Sequence, residues 1–321
     1  CTIGGNIGEC DGGPRDVKYG VTRDYVLGLK AVLVSGEIIE TGVKTAKGVA
    51  GYDLTRLIVG SEGTLAVVSE ITLKLLPKPE AINTLAVFFD SVNLAAEAVS
   101  GIMKAGVVPR CVEYLDQSCL DLVKDDISFE LPEKSRAMLI IELDGEAPIV
   151  DRETDKILSL CRTFQALEVM TAADEKETAR LWQARKALSP IMFKVAKNKI
   201  NEDIVVPIDK IPDIVTATQE IKARFGLPMV SFGHAGDGNI HCNIMYDKSD
   251  PDQFERAHKA VDELFDRTLA LGGTITGEHG VGITKLKYLP QEVGPSQINL
   301  MRGIKTVFDP NHILNPGKVF K

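Results

Sequence analysis

The chain has 321 residues, 44% apolar and 26% charged, and its 45 acidic against 37 basic side chains leave a net charge of −8. That is room for two domains and a sizeable core, and it excludes a disordered chain and general binding to a nucleic-acid backbone. No apolar run approaches the roughly 18 residues of a membrane-crossing helix, and six cysteines (1, 10, 111, 119, 161 and 242) form no C-x-x-C pair, as expected of reduced thiols in a cytoplasmic protein.

The sequence opens on Cys1-Thr2-Ile3-Gly4-Gly5-Asn6, a glycine-rich turn with no initiator Met, signal peptide or flanking strand before it, so the chain is expected to begin partway into a longer protein. Residues 1–77 read as β-rich. Tyr25–Val34 alternates as a strand, Ser35-Gly36 turns it, Glu37–Thr41 returns, and Leu65–Leu76 alternates again. Pro77-Lys78-Pro79 marks a boundary. From residue 80 to 272, apolar strands at Thr84–Phe89, Ala137–Leu143, Asp203–Val206, Met229–Phe232 and Ile240–Met245 alternate with helical periods. The helices are Leu94–Ala105, Asp151–Phe164, Asp174–Val195, Ile211–Phe225 and Asp252–Leu271, which predicts an antiparallel sheet with helices on one face. The last stretch carries a helix near Ser296–Phe308 and a Pro-bounded tail. No internal repeat is visible in the sequence.

The chemical signal is strongest in Gly233-His234-Ala235-Gly236-Asp237-Gly238-Asn239-Ile240-His241. Asp-Gly between apolar runs signals a two-residue type I′ hairpin. Centring the turn there sets His234 directly opposite His241, with Cβ atoms roughly 5 Å apart on one sheet face. Two imidazoles so placed can chelate one divalent metal, and Asn243 shares their face. A lone His would more simply fill a half-buried surface; the pairing favours a metal. Glu278, glycine-flanked in Thr276-Gly277-Glu278-His279-Gly280, is the candidate third ligand, and a His2Glu set leaves a position open for chemistry. His258 and His312 read as ordinary polar residues. At the other end, Gly4, Gly5, Gly8, Gly12, Gly13 and the Gly60–Gly63 turn suggest loops whose N–H groups face a phosphate or flat ring, without the G-x-G-x-x-G spacing of a Rossmann turn.

Seven segments in this order resemble the FAD-linked D-2-hydroxyacid dehydrogenases of the vanillyl-alcohol-oxidase superfamily, a group that takes in the flavin-binding chain of glycolate oxidase and the D-lactate and D-2-hydroxyglutarate dehydrogenases. They are Cys1–Asn6, Gly12–Arg15, Lys18–Gly20, Gly60–Leu65, Gly233–His241, Gly277–Gly280 and Leu314–Lys318. The resemblance implies an α+β fold in three parts. Residues 1–79 would be the C-terminal part of an FAD-binding domain, 80–272 an antiparallel, ferredoxin-like substrate (cap) domain, and 273–321 a segment returning to the flavin. It implies FAD contacts at Gly4, Gly5, Asn6, Gly8, Glu62, Gly63, Leu65, Val68 and Asn315. Metal ligands would be His234, His241 and Glu278, holding Zn²⁺ or, in its place, Mn²⁺ or Fe²⁺. His279 would be the base and Arg185 the grip on the substrate carboxylate; on the residues themselves, Asn243 is a further candidate substrate contact, and Lys199 is either another or an ordinary surface lysine.

The expected reaction is oxidation of a D-2-hydroxy acid, D-lactate or glycolate in type, with hydride passing to FAD. The electron acceptor would be an electron-transfer flavoprotein, an Fe–S subunit or a quinone, and the protein itself would be cytoplasmic or peripheral to the inner membrane through a partner. A homodimer is compatible with the sequence. The family's first flavin subdomain has no counterpart, so FAD is expected to be held weakly by this chain alone. A metal-dependent hydrolase and a noncatalytic fragment remain alternatives on the residues themselves.

Overall fold

In a computed structural model, residues 1–320 are described. The helices in chain order are α1 (Ile3–Glu9), α2 (Asp16–Tyr19), α3 (Leu54–Ile58), α4 (Val92–Lys104), α5 (Gln117–Val123), α6 (Ala147–Thr163), α7 (Glu175–Leu181), α8 (Gln183–Ile191), α9 (Ile211–Phe225), α10 (Pro251–Ala270), α11 (Leu289–Glu292) and α12 (Pro295–Phe308). The strands are β1 (Val26–Val32), β2 (Ile38–Gly42), β3 (Val67–Leu73), β4 (Ala81–Phe89), β5 (Cys111–Asp116), β6 (Ala137–Gly145), β7 (Glu168–Thr171), β8 (Asn198–Val205), β9 (Met229–His234) and β10 (Asn239–Tyr246). They fall into two compact units. The first comprises Cys1–Gly13, Gly20–Pro77 and the stretch from Ile275; the second comprises Pro14–Tyr19 and Lys78–Thr274.

In the first unit, β2, β1 and β3 make an antiparallel sheet in that order. Its core gathers Ile7 of α1, Val26, Leu29 and Ala31 of β1, Ile58 and Val59 at the end of α3, and Ala66. The glycine-rich opening is helix α1, where a loop was expected. Thr2 caps it by accepting from the Gly5 N–H at 3.1 Å, Cys10 closes it in the left-handed region at φ 56°, and Ile7 is anchored in the core. Cap and core contact together outweigh the roughly 1 kcal/mol that each helical glycine costs.

In the second unit, seven strands form one sheet in the order β7-β4-β6-β5-β9-β10-β8, every pairing antiparallel. β4, α4, β5, β6, α6 and β7 give the 4-1-3-2 strand order of a ferredoxin-like fold. β8, α9, β9, β10 and α10 repeat it, with the single bridge of Thr274 to Val205 in the place of the fourth strand. The duplication is one of topology, which is why residue patterns did not show it. The two halves meet where β5 pairs with β9, at Glu113–His234, Tyr114–Gly233 and Leu115–Phe232.

Helices α4, α6, α9 and α10 belong to the repeated motif. The expectation of helices on one face is corrected by α5, α7 and α8. They close the other face over Ala86, Phe88, Leu115, Met138, Ile140 and Phe232. β4, β5 and β6 are therefore buried on both sides, and such strands read as continuous apolar runs. The expected helix Asp174–Val195 is divided at Trp182, whose Nε1–H donates to the Glu142 carboxylate at 2.7 Å. Among the described residues no helix is long and apolar enough to cross a membrane.

Candidate active site

The β9–β10 hairpin forms where expected, with its register two residues away from the expected one. His241 pairs with Phe232, not His234. The turn spans four residues, Ala235–Gly238, with Asp237 N–H donating to His234 O at 3.2 Å. A type I′ turn needs positive φ at both central residues. Only Gly238, at φ 91°, has it; Asp237 does not. A slip of two preserves the face, so His234 and His241 become diagonal neighbours with ring centroids 5.3 Å apart. Both are buried, at 6% exposure each. Gly233 permits the approach, since a Cβ there would lie 2.5 Å from the Asn239 carbonyl oxygen.

The sequence reading missed Glu113. It is fully buried on β5, and one carboxylate oxygen bonds His234 Nδ1 while the other accepts from Arg185 Nε at 2.6 Å. The available signal was a charged residue inside the apolar run Cys111-Val112-Glu113-Tyr114-Leu115, because a buried carboxylate requires partners. Arg185, on α8, also stacks over the Phe232 ring at 4.4 Å, and Phe232 in turn lies 5.6 Å from the His241 ring. Asn243 is fully buried on the same face as His241. Its Nδ2 donates to Val230 O at 3.3 Å, and its Oδ1 has no hydrogen-bond partner. Lys199, on β8, sits 5.6 Å from the Phe193 ring, and burial pushes its ammonium pKa down. These five expected residues, His234, His241, Arg185, Asn243 and Lys199, all belong to the second unit.

The other expected residues lie in the first unit. Helix α1 meets the Gly60–Leu65 turn through Gly60 N–H to Ile7 O (2.9 Å) and Glu62 N–H to Gly8 O (2.8 Å). Glu62 adopts φ 52°, and its carboxylate accepts from Val281 N–H at 2.7 Å and Gly282 N–H at 2.8 Å, which fixes the loop carrying Glu278 and His279. Asn315 Nδ2 donates to Glu62 O. Lys305 pins both segments: its buried Nζ donates to Thr64 O at 2.6 Å, Asp309 at 2.5 Å and Leu314 O at 2.8 Å. Burial alone would raise the Asp309 carboxyl, but Lys305 and the Leu314 and Ile313 N–H groups outweigh it and hold it at about 2.

Burial, and next the Glu278 carboxylate, raise Asp11, while His279 acts in the opposite direction. Gly4 and Gly8 face open space, and Asn6 Oδ1 is buried without a hydrogen-bond partner. Leu65 is a buried side chain, and Val68 lies on β3 against the core, outside the hydrogen-bonded group. His258 meets the Phe254 carbonyl oxygen along α10, and His312 is exposed at φ 52°, both as expected of polar residues.

Residues 78–319 match the family of FAD linked oxidases, C-terminal domain, and residues 1–42 match an FAD binding domain. The chain belongs to the FAD-linked oxidase family, and FAD is the cofactor that membership brings. It is 46% identical over 319 residues to glycolate oxidase subunit GlcD of Bacillus subtilis (99% of this chain, 68% of that protein). It is 33% identical to glycolate oxidase subunit GlcD of Escherichia coli K12 (99% and 64%) and 32% identical to D-lactate dehydrogenase of Anaerostipes hadrus (99% and 69%). The chain thus spans about two thirds of these relatives' length. The fold is that of p-cresol methylhydroxylase (TM-score 0.74, 17% identity, 98% of this chain and 68% of that one). Alkyldihydroxyacetonephosphate synthase also shares it (TM-score 0.67, 19%, 98% and 57%). The α+β, vanillyl-alcohol-oxidase-type expectation is met.

Proposed function

We propose that the protein oxidises a D-2-hydroxy acid of the D-lactate or glycolate type to the 2-oxo acid. The observation that carries this is the single sheet face on which His234 and His241 lie 5.3 Å apart beside an Arg185 whose Nε is already held by Glu113. The relatives named glycolate oxidase and D-lactate dehydrogenase support it.

The residues fit both groups. Asn6 Oδ1, buried and unpaired beside open glycines, is an acceptor suited to a ring imide, and imidazole with carboxylate suits Zn²⁺, Mn²⁺ or Fe²⁺. When bound, FAD supplies a two-electron acceptor and the ion lowers the hydroxyl pKa. His234 and His241, with Glu278 as third ligand, would hold the ion. Gly4, Gly5, Asn6, Gly8, Glu62, Gly63 and Asn315 would hold the flavin.

The chain's own work is binding, orientation and proton handling. With Nε taken, the Nη1–Nη2 edge of Arg185 is the one that grips a carboxylate end-on, fixing the substrate's orientation. Asn243 Oδ1 accepts a substrate hydroxyl, and Lys199 adds positive charge for the carboxylate. His279 takes the hydroxyl proton, help typically worth about 10²–10⁴ in rate. The electron acceptor would be an electron-transfer flavoprotein, an Fe–S subunit or a quinone.

The test is anaerobic titration of the flavin-loaded protein with D-lactate, glycolate and L-lactate, followed at the flavin absorbance. Bleaching by a D-2-hydroxy acid or glycolate, and not by L-lactate, is expected. A spectrum unmoved by all three refutes the reading.

A further inference from the structure

We propose that Glu113 is a positioning residue that sets His234 and Arg185 at once, so that one buried carboxylate aligns both metal ligation and carboxylate recognition. The proposal rests on the function proposed above. Glu113 sits at the seam between the two ferredoxin-like halves, and its register partner across β5 and β9 is His234. Its side chain is fully buried, a position that a carboxylate tolerates only when its oxygens are bonded to cationic or strongly polar donors. Each oxygen has a different donor: His234 Nδ1 on one, Arg185 Nε on the other.

Two consequences follow. The carboxylate holds the proton of His234 on Nδ1, which assigns ligation to Nε2 and fixes the ring plane. It also consumes the Nε edge of Arg185, so a substrate carboxylate meets only the end-on edge of the guanidinium. The Phe232 ring, two residues before His234 on β9 and so on the same face, completes the arrangement, 4.4 Å from the Arg185 guanidinium and 5.6 Å from the His241 ring. Arg185, Glu113, His234, His241 and Phe232 thus form a continuous ring of contacts around the seam. A glutamine at 113 keeps the shape but offers one acceptor and one donor, and therefore cannot serve both partners.

The experiment compares the flavin-loaded parent with Glu113→Gln. Zn²⁺ affinity is read by competition with a chromogenic chelator, and KM and kcat are read with D-lactate. Zn²⁺ binding is expected to weaken about 10- to 100-fold and KM to rise about tenfold or more. A folded variant with parental Zn²⁺ affinity and parental KM overturns the proposal. A second measurement needs no variant: ¹⁵N shifts of His234 in the metal-free parent should report the Nδ1–H tautomer, and an Nε2–H tautomer there overturns it too. His241→Ala separates the two readings. If that variant keeps stoichiometric Zn²⁺, the metal assignment fails, whereas loss of Zn²⁺ in His241→Ala with parental binding in Glu113→Gln defeats the role of Glu113 alone.

Discussion

His279 and Arg185 would meet the same substrate at different stages of the reaction, and that difference is measurable. Proton removal is a transition-state task, so His279→Gln should lower kcat by about 10²-fold or more with little change in KM. Steady-state kinetics on protein with verified flavin and metal content checks this; a parental kcat would place the base elsewhere. The sequence made some of these residues legible and hid others for physical reasons. His234 and His241 were readable because turn chemistry and a period of two place both on one face, and a two-residue register slip leaves that face unchanged. Glu113 was not, because its partners come from elements distant in the chain: Arg185 from α8 and His234 from β9.

Strands and turns carry the stability on which that geometry depends. Gly238 holds φ 91°, and a Cβ there would lie 2.0 Å from the Val206 carbonyl oxygen, whose own N–H donates to Gly238 O at 3.1 Å. Gly238→Ala should therefore cost at least about 2 kcal/mol, read as a lower urea midpoint, and should weaken metal retention by moving His241 with its strand. An unchanged midpoint would show that the turn relaxes at no cost.

At the end of β5, Asp116 accepts from Cys119 N–H at 2.9 Å and Ser231 N–H at 3.1 Å. Burial raises its carboxyl to about 6, against the opposing pull of those bonds. The native state thus holds this proton more tightly than the unfolded chain. Its contribution to stability is fully present below about pH 4 and is lost as pH rises through about 6, on the order of 1–3 kcal/mol. Urea titrations at pH 5 and 7.5 should show that slope in the parent and a smaller one in Asp116→Asn. Equal slopes would remove Asp116 from the account. Strand β5 itself was invisible in the sequence because Glu113 and Asp116 break its apolar run while both of its faces are buried.

At the scale of the whole molecule, the candidate residues are divided between the two units. Gly4, Gly5, Asn6, Gly8, Glu62, Gly63, Glu278, His279 and Asn315 belong to the first unit; His234, His241, Arg185, Asn243 and Lys199 belong to the second. The fold class was legible because alternating strands and amphipathic helices follow from local periodicity. The doubled ferredoxin-like order was not, since it is set by which distant strands pair. The side chains proposed for the flavin and those proposed for the metal are nevertheless different residues, which predicts that the two cofactors can be lost separately. Removing Asn6 Oδ1 would delete one acceptor of the proposed flavin surround and touches no proposed metal ligand. Asn6→Ala should weaken FAD retention about three- to tenfold, the worth of one hydrogen bond, with metal content unchanged. Chelator treatment of the flavin-loaded protein should strip the metal and abolish turnover while the oxidised flavin spectrum persists. Absorbance and metal analysis on the same desalted samples decide the matter: loss of FAD together with the metal, or loss of metal in Asn6→Ala, would mean that flavin and ion are held by shared rather than separate residues.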